Sequence, residues 1–200
     1  MASERQEYNE VSPWWGEHVH RYEEAIKVIG ASRRVLDIAC GNGYGSFILA
    51  NASIEEVVGG DIDANTIEEC NNKFWAKNLT FSVIDGTQLQ FEDGYFDAVV
   101  SFETIEHTTN YMDMLKEFKR VIKDSGVVII STPNIIINSP SGKVLNPYHT
   151  QEWKYTELKE ILEREFSSVQ IFGQKYSRYD NRRVNYKMGN VFEQIMYLVR

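Results

Sequence analysis

The chain has 200 residues, 42% of them hydrophobic, and a formal net charge of −8. That size and apolar share suit a single domain, residues 1–200, with a full core, and no apolar run approaches the ~20 residues that span a bilayer. The acidic balance disfavours a nucleic-acid partner, because proteins that grip phosphate backbones present a basic face; the cluster Arg178, Arg182, Arg183 and Lys187 reads as a solvated loop.

Apolar strand-like runs alternate with amphipathic helix-like segments, the pattern of an α/β domain. Residues 1–30 are expected to form an N-terminal helical segment, with Tyr22–Ile29 as its clearest helix. Its Trp14 and Trp15 either lid the site or pack on the body. A strand over Arg34–Ala39 turns through glycines into a helix opening at Tyr44, which carries Phe47, Ile48 and Leu49 toward the sheet. Glu56–Gly60 predicts a second strand, Asp63–Lys77 a second such helix and Leu79–Ile84 a third strand. Phe96–Phe102, mostly apolar, predicts a buried central strand. Met112, Leu115, Phe118, Val121 and Ile122 make one face of a helix over Tyr111–Ile122, with Gly126 as its stop. Val127–Ser131 is the fifth strand. Residues 134–155 then read as a loop on the acceptor side, and Thr156–Arg164 as a helix capped by Thr156. Ser168–Phe172 and Val191–Val199 close the chain as an antiparallel pair around an insert, residues 175–190.

The run Val35-Leu36-Asp37-Ile38-Ala39-Cys40-Gly41-Asn42-Gly43-Tyr44-Gly45 carries most of the chemistry. Glycines at a strand-to-helix turn let backbone N–H groups approach a ligand, and nucleotide cofactors bind outside the carboxyl ends of such strands. A dinucleotide fingerprint reads GxGxxG. Gly41 and Gly43 fit it, but Ser46 stands in the third place and the extra glycine is Gly45. Asp37 would repel a pyrophosphate yet attract the ammonium and sulfonium of S-adenosylmethionine, which disfavours an NAD-dependent oxidoreductase. Asp61 ends the second strand, where a carboxylate can accept from ribose hydroxyls; Ile62 would face the adenine, and Asp63 suits a helix cap. In Asp85-Gly86 the carboxylate can take the adenine amine while the glycine backbone approaches the ring, although Asp-Gly is also a common turn.

With these pieces, FDAVVSFETIEH, LKEFKRVIKDSGVVIISTPN and NPYHTQEW, the chain resembles the class I S-adenosylmethionine-dependent methyltransferases from about His18 to Gln174. It is most similar to bacterial-type members associated with cell-surface glycan synthesis. The resemblance implies a three-layer Rossmann-like fold, a mostly parallel seven-stranded sheet with the last strand antiparallel. It also implies a cofactor held by Asp37, Gly41, Gly43, Asp61, Ile62, Asp85, Gly86 and the backbone around Ser101.

Methyl transfer from a sulfonium mainly requires an acceptor held in line. A hydroxyl acceptor gains from a general base, for which histidine titrates in the right range. His149, with Glu152 to orient it, and His107, beside Glu106, are the candidates; His107 also reads as a structural hydrogen-bonding residue. No metal site is expected: His18 and His20 fall on different sides of a helix, and Cys40 and Cys70 give neither a CxxC spacing nor a disulfide framework. The polar N-terminus, Met1–Glu7, is no signal peptide, so a cytoplasmic protein is expected. Ser101-Phe102-Glu103-Thr104 lacks the Asn/Asp-Pro-Pro-aromatic pattern of base-amine methylation, and Thr132-Pro133-Asn134 lacks a Pro-Cys nucleophile. The expected activity is methyl transfer to a small polar acceptor, a sugar hydroxyl or amine of a nucleotide-sugar or glycan. The alternatives are a quinone precursor, a natural product, or a catalytically silent cofactor-binding subunit.

Overall fold

The computed structural model describes residues 13–31, 33–174 and 194–199; the side chains of 13–17 and 194–198 are outside the description. Elements run in the order α1 (Pro13–Ile29), β1 (Arg34–Ile38), α2 (Tyr44–Ala50), β2 (Glu56–Asp61), α3 (Ala64–Lys73), β3 (Leu79–Val83) and β4 (Phe96–Phe102). A 3₁₀ turn (Ile105–His107) follows, then α4 (Tyr111–Val121), β5 (Ile122–Pro133), α5 (Ile135–Asn138), α6 (Tyr155–Glu165), β6 (Val169–Gln174) and β7 (Gln194–Val199). They form one seven-stranded sheet in the order β3-β2-β1-β4-β5-β7-β6. The first five strands are parallel, and β7 runs antiparallel between β5 and β6. The order reverses between β1 and β4, which opens a crevice beyond their carboxyl ends.

Both faces of the sheet are covered, as the alternating side chains of each strand require. Leu36, Ile38, Val99, Val128 and Ile130 pack on Leu115, Phe118, Leu158 and Leu162 of α4 and α6. Val35, Val57, Ala98, Val100 and Ile129 pack on Tyr22, Ala25, Tyr44 and Leu49 of α1 and α2. Along β1 the residues facing α1 and α2 are therefore 35 and 37.

Several boundaries differ from the sequence expectations for local reasons. The first helix begins at Pro13, a residue suited to the first helical position because the N–H it lacks would have no intrahelical partner. The helix after β2 stops at Lys73, because Phe74 turns extended and lies 5.1 Å from Phe47, ring to ring. Phe47 and Ile48 stay half-buried, so of the three residues expected to face the sheet only Leu49 is fully buried. The fourth helix ends at Val121, and Ile122 already pairs with Phe96. Gly126 sits inside the irregularity that separates this pair from Ala98–Val127, not at a helix end. The last helix is capped at Lys154, whose N–H donates to Glu157 Oε2 at 3.1 Å, not at Thr156. Trp14 and Trp15, as side chains, and the insert 175–190 with its arginines lie outside the described residues. Among the described residues no helix is long and apolar enough to cross a membrane.

Candidate active site

A cavity of about 870 Å³ opens at the carboxyl ends of β1, β2 and β4. On one side it is lined by Ile38, Cys40, Gly41, Asn42, Asp61 and Ile62. Gly41 and Gly43 adopt left-handed backbone, φ +53° and +77°, which carries the chain from β1 into α2. A Cβ on Gly43 would also stand 2.7 Å from Cys70 Sγ. Gly43 lies behind the wall that Gly41 forms. Asp61, nearly fully buried, ties the turn to β2. Its Oδ2 accepts from the Gly41 N–H at 3.1 Å and its Oδ1 from the Asp63 N–H at 3.0 Å. Asp63 caps α3 as its sequence suggests, accepting from Asn65 N and Thr66 Oγ1. Ile62 stays 69% exposed at the cavity wall, an apolar side chain available to a flat ring.

Asp85, Gly86 and Thr87 line the same space. Thr87 donates to Asp85 Oδ1 from both its N and its Oγ1, which holds that carboxyl below its ordinary value. Met114 stands where a Gly86 side chain would go, 2.8 Å from an added Cβ. Ser101 is fully buried and set back from the cavity, while Phe102, Glu103 and Thr104 reach it.

Asp37 is placed differently from its expected position at a strand tip. Strand alternation turns its side chain into the α1–α2 layer, where it is 1% exposed and does not line the cavity. Ser46 Oγ donates to it at 2.6 Å and Tyr22 Oη at 3.2 Å. Tyr22 reaches it by passing close over Gly45, where an added Cβ would fall 1.9 Å from Tyr22 Cζ. Gly45 and Ser46, which break the dinucleotide pattern, thus serve this buried carboxyl. Burial above all, opposed by the two hydroxyl donors and then reinforced by the Asp61 charge, pushes its pKa up to about 7. A folded-state pKa above the unfolded ~3.9 means the folded protein holds this proton more tightly. Stability therefore falls as pH rises from about 4 toward 7, by roughly 2–3 kcal/mol between pH 5 and 8. Urea denaturation at pH 5 and 8 should show that loss, and Asp37→Asn should remove it. An unchanged slope would mean Asp37 is ionised throughout.

The other side of the cavity is built after β4 and by the segment 134–155. That segment is not all loop, since α5 opens it. Residues near its end fasten to the 3₁₀ turn: Thr150 N and Oγ1 donate to the Glu106 carbonyl at 2.8 and 3.0 Å. Gln151 Nε2 donates to the Ile105 and Thr108 carbonyls at 2.9 and 2.6 Å. His107 and His149 meet there edge to face, ring centroids 4.8 Å apart. His149 Nδ1 is 2.7 Å from Glu152 Oε1, the contact its spacing suggests, and its Nε2 is 3.0 Å from Asn146 Nδ2. His107 Nδ1 is 3.1 Å from the Tyr148 carbonyl. Beneath them Glu106 is fully buried, accepting from Thr132 Oγ1 at 2.9 Å. Burial first, then the Glu103 charge, holds its carboxyl well above the ordinary range.

Several contributors went unnoticed in the sequence. Arg21 is 1% exposed at the cavity edge. It donates to Gln174 Oε1 at 2.7 Å and Ser131 Oγ at 3.2 Å and pairs with Glu103 at 3.1 Å. Tyr44 and Asn42 also line the space. Among the described residues the two non-glycines with positive φ, Ala39 at 59° and Glu103 at 50°, both border the cavity, where strained backbone commonly serves function. His18 lines the cavity while His20 faces Glu23 and Glu24. Cys40 and Cys70 are free thiols.

Residues 36–130 match the family described as Methyltransferase domain. A protein of Mycolicibacterium smegmatis named as a probable S-adenosylmethionine-dependent methyltransferase is 35% identical over 66% of this chain and 51% of its own length. A 27-O-demethylrifamycin SV methyltransferase of Amycolatopsis mediterranei is 25% identical over 64% of the chain and 55% of its own. The chain thus spans about half the length of the curated relatives it matches. A solved S-adenosylmethionine-dependent methyltransferase from Archaeoglobus fulgidus superposes with TM-score 0.70 over 92% of this chain and 93% of its own, at 23% identity, a likeness of fold. The fold and its crevice thus define an α/β domain of Rossmann-like type. Within that class the chain is similar, over residues 36–130 and the stretch shared with the mycobacterial protein, to S-adenosylmethionine-dependent methyltransferases.

Proposed function

We propose that this protein transfers the methyl group of S-adenosylmethionine to a small polar acceptor held between the glycine turn and the 134–155 segment. The observation that carries the reading is the Gly41–Asp61 arrangement. A left-handed turn is pinned by a buried carboxylate that still borders the cavity, with exposed Ile62 and the Asp85-Gly86 pair beside it. That combination suits a ribose and an adenine. In this reading Gly41, Asp61, Ile62, Asp85 and Gly86 contact the cofactor. Gly43, Asp37 and Ser101 support it from behind.

His149 is the better base for a hydroxyl acceptor. With Nδ1–H donating to Glu152, its neutral ring presents Nε2 as the proton acceptor. His107, similarly oriented by the Tyr148 carbonyl, is the second candidate. The acceptor we favour is a sugar hydroxyl or amine of a nucleotide-sugar or glycan, since the wall opposite the cofactor residues is rich in hydrogen-bonding side chains such as Asn138, Asn146 and Tyr148. A second reading, a natural-product hydroxyl, draws on the similarity to the rifamycin enzyme.

Calorimetry with S-adenosylhomocysteine should show one-to-one binding, and binding of NAD in its place would overturn the cofactor assignment. Labelled cofactor offered with panels of nucleotide-sugars, quinone precursors and polyketides then separates the acceptor readings. Label transfer only to the last two panels would reject the sugar. Binding of cofactor without transfer to any panel would favour a silent partner subunit.

A further inference from the structure

We propose that Glu106, His107 and His149 bind a divalent metal ion whose remaining coordination positions take the oxygen of the methyl acceptor. One ligand atom from each of the three lies within 4.8 Å of the others, and all three residues line the cavity. Around a zinc-like ion with ligand bonds of ~2.0–2.2 Å, paired ligands stand roughly 3–4 Å apart. The site therefore closes by about an ångström when filled.

The chemistry around each ligand fits that role. Glu106 is fully buried, and while Thr132 donates to one oxygen, no other residue donates to Oε1. A buried carboxylate oxygen left in this way is costly unless a cation or proton meets it. Metal-binding histidines usually donate their second ring N–H to a carboxylate or a backbone carbonyl, which fixes the tautomer. Both do so here, His149 through Nδ1 to Glu152 and His107 through Nδ1 to the Tyr148 carbonyl. Each neutral ring then carries its lone pair on Nε2. Asn146 Nδ2 now donates to the His149 lone pair and would turn aside for the metal. Two imidazoles and one carboxylate with open positions suit zinc, iron or manganese, whereas calcium asks for six to eight oxygens.

The ion's purpose, though not its binding, rests on the methyl-transfer reading. With both Nε2 lone pairs on the ion, neither histidine would act as the base: in place of that role, a hydroxyl bound to the ion would be acidified and would lose its proton to water. Its oxygen then forms the new bond to the methyl carbon as the carbon–sulfur bond breaks, and sulfur leaves as a neutral thioether. The metal retains its charge throughout.

Chelator-stripped protein titrated with Co²⁺ should bind one equivalent and develop visible d–d absorption, with Zn²⁺ competing and Ca²⁺ not. Glu106→Gln and His149→Ala should each abolish the absorption, and Glu152→Gln should weaken affinity by ~10- to 100-fold through its histidine. A Cys40→Ser/Cys70→Ser double variant should bind Co²⁺ like the parent. Calorimetry with S-adenosylhomocysteine on the same samples verifies that each variant is folded and keeps the two ideas apart. Cofactor binding with no metal uptake, or uptake that only the cysteine variant loses, overturns the metal site and leaves methyl transfer standing. Metal uptake without cofactor binding defeats the function instead.

Discussion

Asp61→Ala is expected to weaken S-adenosylhomocysteine binding by ~100-fold or more. Asp61 performs two tasks with one carboxylate. Its oxygens separately accept the Gly41 and Asp63 N–H groups, and the same group borders the cavity where ribose hydroxyls would lie. Hydrogen bonds to a charged group contribute ~1.5–3 kcal/mol each, so losing the two that ribose hydroxyls would donate costs about two to four orders of magnitude in affinity at about 1.4 kcal/mol per decade. Asp61→Asn should rescue little. Because both oxygens already face backbone donors, either amide orientation sets an NH₂ against an N–H. Calorimetry on the wild type and both variants, with circular dichroism to verify folding, is the measurement. An Asn variant that binds like the parent would show that the two turn contacts do not hold the site open.

The second large effect concerns stability. Arg21 reaches from α1 beneath the site to Gln174 on β6, Ser131 on β5 and Glu103 just past β4. Arg21→Met keeps much of the apolar stem but leaves Glu103 without this cation. Removing one partner of a buried pair costs ~3–5 kcal/mol, which at ~2–4 °C per kcal/mol for a chain of this size lowers the melting temperature by about 10 °C. Arg21→Met/Glu103→Gln should recover part of the loss, since the second change removes the stranded charge. Thermal melts of the two variants measure the coupling. A single variant within 1 °C of the parent would remove Arg21 from the framework.

The framework of this fold is legible in the chain. The bounds of β4 follow from its apolar run, and the cap at Asp63 follows from its chemistry. The turn after β1 announces a cofactor crevice. What the residues do not announce is direction. The DIACGNG motif suggests an acid at a strand tip, but the two-residue period of β1 sends Asp37 sideways under α1, and only the placement of Tyr22 makes that visible. Arg21 hides for a related reason, because a lone arginine on a helix ordinarily reads as surface and its partners come from two distant strands and the turn after a third. The Glu106–His107–His149 cluster is equally silent. His107 and Glu106 are neighbours, yet His149 joins them only because Thr150 and Gln151 fasten to the turn they occupy.

That fastening has a consequence for how such a chain can diversify. Thr150 and Gln151 grip carbonyl oxygens of Ile105, Glu106 and Thr108, atoms that every residue type supplies. The anchorage therefore does not depend on which side chains the short turn bears. The stretch from Ser139 to Leu145, ahead of the anchor, closes on itself, the Leu145 N–H donating to the buried Ser139 Oγ at 3.0 Å, and its residues 140–143 and Leu145 stand exposed. New specificities can be grafted at that tip, lengthened or recoloured, while the facing wall built on Gly41 and Asp61 stays untouched.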